Sequence, residues 1–146
     1  EEAYRLGDSM NQSSNVKALR STWYLWDETQ IFNLLLEKII KTINISFPND
    51  DRLKLRDVWS VIYKKEHYSI PHAHHPSYLS FVYYLKSNGN TPLVFDKCNF
   101  QIHPTDNTLV IFPSYLVHSV PTHKENQDRI CIAGNLDLIN NGITNK

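Results

Sequence analysis

The sequence predicts an α+β domain in which one amphipathic helix precedes a β-sandwich or small barrel. Helical periodicity occurs in one stretch only, before residue 46. From Leu53 onward, short runs of β-branched and aromatic residues alternate with polar turns. Aromatic residues make up 12% of the 146 residues, and glycine occurs only four times. Such a composition favours a β-rich core filled by large side chains, and the length predicts a single domain over residues 1–146.

The helix is predicted over residues 27–45. Asp27 is a candidate N-cap, and Gln30 follows it at the spacing of a capping box. The apolar positions predicted to face a sheet are Leu34, Leu35 and Ile39. The sequence FPNDD at 47–51 ends the pattern. The small polar residues at the start of the chain predict a loop or flexible arm over residues 1–15.

The β-rich part is predicted to span residues 53–136. Seven strands are predicted from runs of apolar and aromatic residues bounded by turn residues. They cover residues 58–63, 68–74, 78–85, 92–95, 108–112, 119–121 and 129–134. The Ser-Asn-Gly-Asn sequence at 87–90 predicts a turn between the third and fourth of them.

Composition also bears on partners and location. Fifteen basic and fifteen acidic residues balance, which argues against binding to nucleic acid or to an anionic membrane. Cys98 and Cys131 form no CxxC motif, so a reducing, cytoplasmic setting is expected. No run of about eighteen apolar residues predicts a membrane span. The first residues, Glu1-Glu2-Ala3, do not resemble a signal peptide.

His72-Ala73-His74 is the clearest chemical motif. In an extended strand, residues two apart point to the same face, so His72 and His74 offer two imidazoles side by side. Neutral imidazole binds Fe, Zn, Cu or Ni. His118 follows a later apolar strand and is a third candidate ligand; the alternative is that it caps a loop. Three ligands leave coordination positions open, as in catalytic metal sites.

The other histidines are weaker candidates. His75 is predicted to point away from His72 and His74, either behind the ligands or toward solvent. His67, His103 and His123 occur in turn-like sequences, and structural roles are expected for all three.

Arg129 opens the last predicted strand. Alternation places Cys131, Ala133 and Asn135 on the same face, so a cation is surrounded by small side chains. A guanidinium group suits bidentate binding of a carboxylate. A salt bridge to the adjacent Asp128 is the alternative. Tyr84, in the aromatic strand, is a candidate hydroxyl donor to the same anion, although packing in the core explains it nearly as well.

In combination, these sequences resemble the Fe(II)/2-oxoglutarate-dependent oxygenases. The resemblance covers residues 56–136 and runs through WSVIYKKEHYSIPHAH, LSFVYYL, TPLVF, TLVIFPSYLVHSVP and RICIAGN. It is closest to the prolyl-hydroxylase-like branch and to oxygenases of marine phage and bacterial genomes. The resemblance implies a double-stranded β-helix (a jelly roll, as in cupins) that carries iron near one open end, with the N-terminal helix packed on the sheet.

The resemblance implies specific roles for the candidate residues. His72 and His118 match metal ligands of the family, and His74 stands where the family usually has Asp or Glu. Arg129 and Tyr84 match residues that bind the far carboxylate of 2-oxoglutarate. Tyr63 and Asn135 match positions that line the pocket.

The implied function is hydroxylation of an unidentified substrate, such as a peptide or protein residue, with decarboxylation of 2-oxoglutarate to succinate. Fe(II), 2-oxoglutarate and O2 are the expected cofactors and cosubstrates. The expected location is the cytoplasm of a bacterial or phage-infected cell, and a homodimer is an option. His74 stands in place of a carboxylate, and three imidazoles favour Zn, Cu or Ni. The identity of the metal ion is therefore left open. The alternatives are a cupin-type metalloenzyme that does not use 2-oxoglutarate and a non-catalytic jelly-roll binding module.

Overall fold

The computed structural model describes residues 15–21, 30–47 and 53–138. The predicted arm before residue 15, the candidate N-cap Asp27 and most of the FPNDD sequence lie outside these residues. The elements are β1 (Val16–Lys17), β2 (Leu19–Arg20), α1 (Gln30–Ser46), β3 (Leu53–Tyr63), β4 (Tyr68–His72), β5 (Leu79–Lys86), β6 (Leu93–Phe95), β7 (Phe100–Ile102), β8 (Thr108–Pro113), β9 (His118–Val120) and β10 (Arg129–Leu138).

The strands form two antiparallel five-stranded sheets. The first sheet has the order β1-β4-β9-β6-β7, and the second has the order β2-β3-β10-β5-β8. From β3 to β10 the chain alternates between the two sheets, except at the β6–β7 hairpin. This winding is a double-stranded β-helix, so the predicted jelly-roll fold class is confirmed.

All seven predicted strands are present, but three others were not predicted. The strands β1 and β2 have two residues each, and β7 has three. Runs this short do not establish a period of two. In addition, β3 begins five residues before the predicted start at 58, and β10 continues to Leu138.

The space between the two sheets is filled by large side chains. Strand β3 shows how the chain supplies them: Trp59, Val61 and Tyr63 point between the sheets, whereas Val58 points to the helix side. The other buried members of this inner cluster are Ala18, Tyr84, Leu93, Phe95, Val110, Phe112, Val120 and Cys131.

The helix covers the outer face of the second sheet. Phe32, Leu36, Ile39 and Ile43 are its buried residues, and they pack with Leu53, Val58, Leu79, Phe81, Ile132 and Leu136. The prediction that Leu34 faces the sheet is wrong, because its side chain is 56% exposed. Apolar residues occupy almost every position from 31 to 36, so the sequence alone does not define the buried face.

No helix within the described residues is long and apolar enough to cross a membrane.

Candidate metal and anion site

Two neighbouring strands bring the three candidate histidines together. His72 is the last residue of β4, and in the register of the first sheet it lies opposite His118, the first residue of β9. The chain then leaves β4, and the backbone N–H of His74 donates to the carbonyl oxygen of Ser114 at 2.8 Å. The loop is thereby held so that His74 joins the other two histidines at the same end of the barrel.

The three imidazoles form a compact cluster. The ring centroids are 4.5 Å apart for His72 and His118, 5.0 Å for His72 and His74, and 5.1 Å for His74 and His118. One nitrogen of each ring lies within 4.8 Å of the corresponding nitrogens of the other two. A single divalent metal ion can therefore contact all three.

Hydrogen bonds define which nitrogen faces the metal position in two of the rings. The Nδ1 of His72 lies 2.7 Å from the carbonyl oxygen of Ile70, and the Nδ1 of His118 lies 2.9 Å from the carbonyl oxygen of Leu116. A carbonyl only accepts, so each Nδ1 carries the proton and each Nε2 keeps its lone pair. Backbone partners of this kind orient metal-binding histidines in general.

Burial keeps the imidazoles neutral. It lowers the pKa of His72, and it lowers the pKa of His118 to about 4. The pKa of His74 falls to about 3, first because of burial and then because of repulsion by the other two rings. Neutral rings with free lone pairs are the form that binds metal.

Aromatic side chains pack against the cluster. Trp59 lies 5.7 Å from His74 between ring centroids, and Phe112 meets His118 edge to face at 4.8 Å. Neither residue is a candidate from the sequence. Nothing in their local spacing distinguishes them from other core aromatics, because the contact depends on the pairing of distant strands.

Arg129 lies at the other end of the barrel interior. In the second sheet it is opposite Tyr63, and Cys131 is opposite Tyr84. Arg129 is only 2% exposed, and its guanidinium carbon lies 4.9 Å from the ring centroids of both Tyr63 and Tyr84. Its side chain donates to the Tyr84 hydroxyl at 3.4 Å.

The charge of Arg129 has no counterion in the described part of the chain. The ion pairs there join Arg56 to Asp57 and Asp137, and Asp128 does not pair with Arg129. The Nε atom of Arg129 is buried and has no hydrogen-bond partner. Burial of an unpaired cation is costly, which indicates a position for an anionic ligand.

The groups around Arg129 stay neutral. Burial raises the pKa of Tyr63 to about 12 and that of the Cys131 thiol to about 11, and it also raises the pKa of Tyr84. The tyrosine hydroxyls therefore remain hydrogen-bond donors near neutral pH, and neither they nor the thiol neutralises the arginine.

A cavity between the sheets connects the two ends. Its lining includes the three histidines, Arg129, Tyr63, Tyr84, Cys131, Ala133, Trp59, Val61, Ser69, Leu93, Phe112 and Val120. No aspartate or glutamate lines it within the described residues. The carboxylate that acts on His72 and His118 from outside is Asp96, which is exposed and accepts a hydrogen bond from Ser119 at 3.0 Å.

Asn135 lies behind the histidines and not on the cavity wall. Its amide donates to Asp57 at 2.7 Å, and its oxygen accepts from Ser80 at 2.7 Å. Ser80 also contacts the hydroxyl of Ser114 at 2.8 Å, and the carbonyl of Ser114 holds His74. The candidate pocket residue Asn135 is thus placed in a buried network that supports the loop of His74.

The remaining histidines lie outside the cluster. His75 is exposed and lines a groove of about 600 Å³ with Tyr78 and Tyr115. His67 and His103 bond to nearby backbone or side-chain atoms. His123 is buried between Thr91 and the carbonyl of Gln127.

Comparison with known sequences gives one family match. The model of the family described as "Putative 2OG-Fe(II) oxygenase" matches residues 94–135, which include His118 and Arg129. No curated protein sequence matches the chain significantly. The family match confirms the predicted resemblance to the Fe(II)/2-oxoglutarate-dependent oxygenases, and Fe(II), 2-oxoglutarate and O2 are the cofactors that this family implies.

Solved structures with the same fold include two that hold 2-oxoglutarate. A viral collagen prolyl hydroxylase of Paramecium bursaria Chlorella virus-1, in complex with 2-oxoglutarate, is 17% identical with a TM-score of 0.66, over 85% of this chain and 80% of that one. HygX of Streptomyces hygroscopicus, with nickel and 2-oxoglutarate bound, is 11% identical with a TM-score of 0.67, over 92% and 74%. At these identities the likeness shows the shared fold.

Proposed function

We propose that this chain is a metal-dependent oxygenase that hydroxylates a substrate and converts 2-oxoglutarate to succinate. The observation that carries the proposal is the pairing of two unusual features across one cavity. At one end three neutral imidazoles converge, and at the other a buried arginine has no counterion among the described residues. A cosubstrate that chelates a metal and ends in a second carboxylate complements both.

His72, His74 and His118 are the proposed metal ligands. The donor set fits a divalent transition metal, because two of the rings present Nε2 lone pairs fixed by their Nδ1 hydrogen bonds. Their three positions leave other coordination sites open for a cosubstrate and O2. The metal can be Fe(II) even though the set lacks a carboxylate, since 2-oxoglutarate brings its own negative charge.

Arg129 and Tyr84 are the proposed binding groups for the far carboxylate of 2-oxoglutarate. The guanidinium supplies charge and a planar set of donors, and the neutral Tyr84 hydroxyl supplies another donor beside it. Tyr63 packs on the opposite side of Arg129 and restricts its movement. Apolar residues of the cavity wall exclude water between the two ends.

The oxidation itself is chemistry that Fe(II), 2-oxoglutarate and O2 supply when bound. The protein positions the cosubstrate between the histidines and Arg129 and limits access to the barrel mouth. The substrate is proposed to approach from the groove of Tyr78 and Tyr115, because Tyr115 follows Ser114, whose carbonyl holds His74. A peptide or protein residue is a substrate consistent with such an open groove.

The test is spectroscopic first and catalytic second. Protein loaded with Fe(II) without oxygen should develop a metal-to-ligand charge-transfer absorption when 2-oxoglutarate is added, and succinate should form once O2 is admitted. Absence of both signals, with iron bound, would contradict the proposal.

Arginine variants separate this proposal from its alternatives. Arg129→Ala should abolish the 2-oxoglutarate-dependent absorption, whereas Arg56→Ala, at an exposed arginine, should leave it unchanged. A cupin-type enzyme that does not use 2-oxoglutarate would keep its activity in Arg129→Ala. Protein with no affinity for Fe, Mn, Co or Ni would instead indicate a non-catalytic binding module.

A further inference from the structure

We infer that the metal-free protein is itself a receptor for dicarboxylates, so that the oxo acid binds before the metal. This inference rests on the proposed function for naming 2-oxoglutarate as the ligand of the cavity. The expectation that the ligand is an anion comes from Arg129 itself. It follows from the charges of the residues that line the cavity and from the burial of Arg129 without a counterion among the described residues.

The wall carries one fixed charge, and that charge is positive. No aspartate or glutamate lines the cavity within the described residues, and histidine carries no negative charge in either protonation state. A guanidinium group keeps its charge in proteins. A dianion entering the cavity therefore meets a buried cation and no carboxylate on the wall, since Asp96 is exposed and lies outside the lining.

An anion stabilises the buried charge of Arg129 more than it would stabilise an exposed cation. Arg129 is 2% exposed, its Nε has no partner, and the Tyr84 hydroxyl is its hydrogen-bonding side-chain neighbour at 3.4 Å. A carboxylate there would pair a charge that the fold already keeps away from water. In a medium of low dielectric constant, this attraction does not need a metal ion.

The second carboxylate of the ligand reaches the histidine end, where position 74 decides the outcome. With His74, this carboxylate lies near three uncharged imidazoles, and no fixed negative charge opposes it on the cavity wall within the described residues. An aspartate at the same position would place two negative charges a few ångströms apart. Coulomb repulsion at about 5 Å with an effective dielectric constant of about 20 weakens binding by at least about tenfold.

The experiment measures binding without metal. Protein is stripped with EDTA, freed of EDTA by gel filtration and checked by elemental analysis, because EDTA is itself a polycarboxylate. Titration calorimetry then compares 2-oxoglutarate and succinate with the monoanions 2-oxobutyrate and butyrate. Both dianions are expected to bind the wild-type protein, each at least about tenfold more tightly than its monoanion counterpart.

A matched pair of variants tests the role of charge at position 74. His74→Asp and His74→Asn have nearly the same shape and differ by one negative charge. Metal-free His74→Asp should bind succinate at least about tenfold more weakly than metal-free His74→Asn. Should either variant fail to fold, the dianion-to-monoanion comparison in the wild type and the loss of binding in Arg129→Gln decide the question.

The outcomes separate this inference from the proposed function. No dianion binding to stripped wild-type protein would overturn the inference, even if Fe(II)-loaded protein binds 2-oxoglutarate and forms succinate. Equal affinities of His74→Asp and His74→Asn would also overturn it. Dianion binding by stripped protein, with no charge-transfer band after iron is added, would support the inference and overturn the proposed function.

Discussion

The two ends of the cavity satisfy their polar groups in opposite ways. At the histidine end, the protein provides partners on the outer side of the site: Nδ1 of His72 and Nδ1 of His118 donate to backbone carbonyls, and a chain of side chains supports the loop of His74. At the arginine end, Arg129 is packed between two tyrosine rings, but its charge has no counterion in the described residues.

This difference indicates how each end contributes to function. The histidine end is organised before any ligand arrives, as a metal site requires when its ligands must hold fixed directions. At the arginine end the side chain of Arg129 is held in position by its neighbours, but its charge is balanced only when an anion binds. The histidine end therefore holds its side chains in fixed directions, and the arginine end holds a charge without a counterion.

The largest expected effect comes from removing a histidine. Structural Zn²⁺ sites bind with about 10–16 kcal/mol over four ligands, which corresponds to about 3 kcal/mol per ligand. His118→Ala should therefore weaken metal binding by more than about a hundredfold, measured by competition with a chelating dye. His103→Ala removes a histidine outside the cluster and should leave metal affinity unchanged. A small effect of His118→Ala would mean that His118 is not a ligand.

The candidate site residues could be selected from the sequence. The spacing of His72 and His74, the later His118 and the isolated charge of Arg129 are local features. Strand β4 ends at His72, however, and a hydrogen bond to Ser114 rather than strand alternation positions His74. The structure brings all four to one cavity. Their specific roles stay predictions until metal and 2-oxoglutarate binding are measured.

The supporting residues could not be predicted in the same way. Ser80 and Ser114 are 34 positions apart, and Asp57 and Asn135 are 78 apart. Their contacts depend on which strands become neighbours, and a serine in a strand carries no local sign of its partner. Of the three helix residues predicted to face the sheet, Ile39 is buried and Leu35 packs on the same cluster, whereas Leu34 is exposed, because apolar residues surround most of the first turns of the helix.

Breaking the network behind His74 should give the next largest effect. Asn135→Ala removes the buried amide that accepts from Ser80 and donates to Asp57, and the loss of these two hydrogen bonds costs about 2 kcal/mol in the free energy of unfolding. Metal affinity should fall as well, because the loop of His74 loses its support. The exposed Asn126→Ala, measured alongside by urea denaturation, should change stability by less than about 0.5 kcal/mol. Equal effects of the two variants would show that the network does not stabilise the histidine end.

A pH titration distinguishes the two ends without a change at Arg129. Burial lowers the pKa of His118 to about 4, so between pH 6.5 and 4 the unfolded chain binds a proton that the folded chain does not. The stability of metal-free protein should therefore be complete above pH 6.5 and decrease toward pH 4, by at most about 1.4 kcal/mol per pH unit for this group. His118→Gln should reduce the slope. An unchanged slope would mean that His118 is not kept neutral by burial.

The smallest expected effect is a change in the free energy of unfolding whose sign tests whether the charge of Arg129 is unpaired. Arg129→Met removes a buried charge that lacks a counterion and keeps an unbranched side chain between Tyr63 and Tyr84. The ligand-free variant should be more stable than wild type by about 1 kcal/mol, although it should not bind 2-oxoglutarate. Arg129→Lys keeps the charge and should not show the gain. If Arg129→Met instead lowers the free energy of unfolding, contacts with the two tyrosine rings already compensate the buried charge. The arginine end would then be as complete without a ligand as the histidine end, and the contrast between them would be one of chemistry alone.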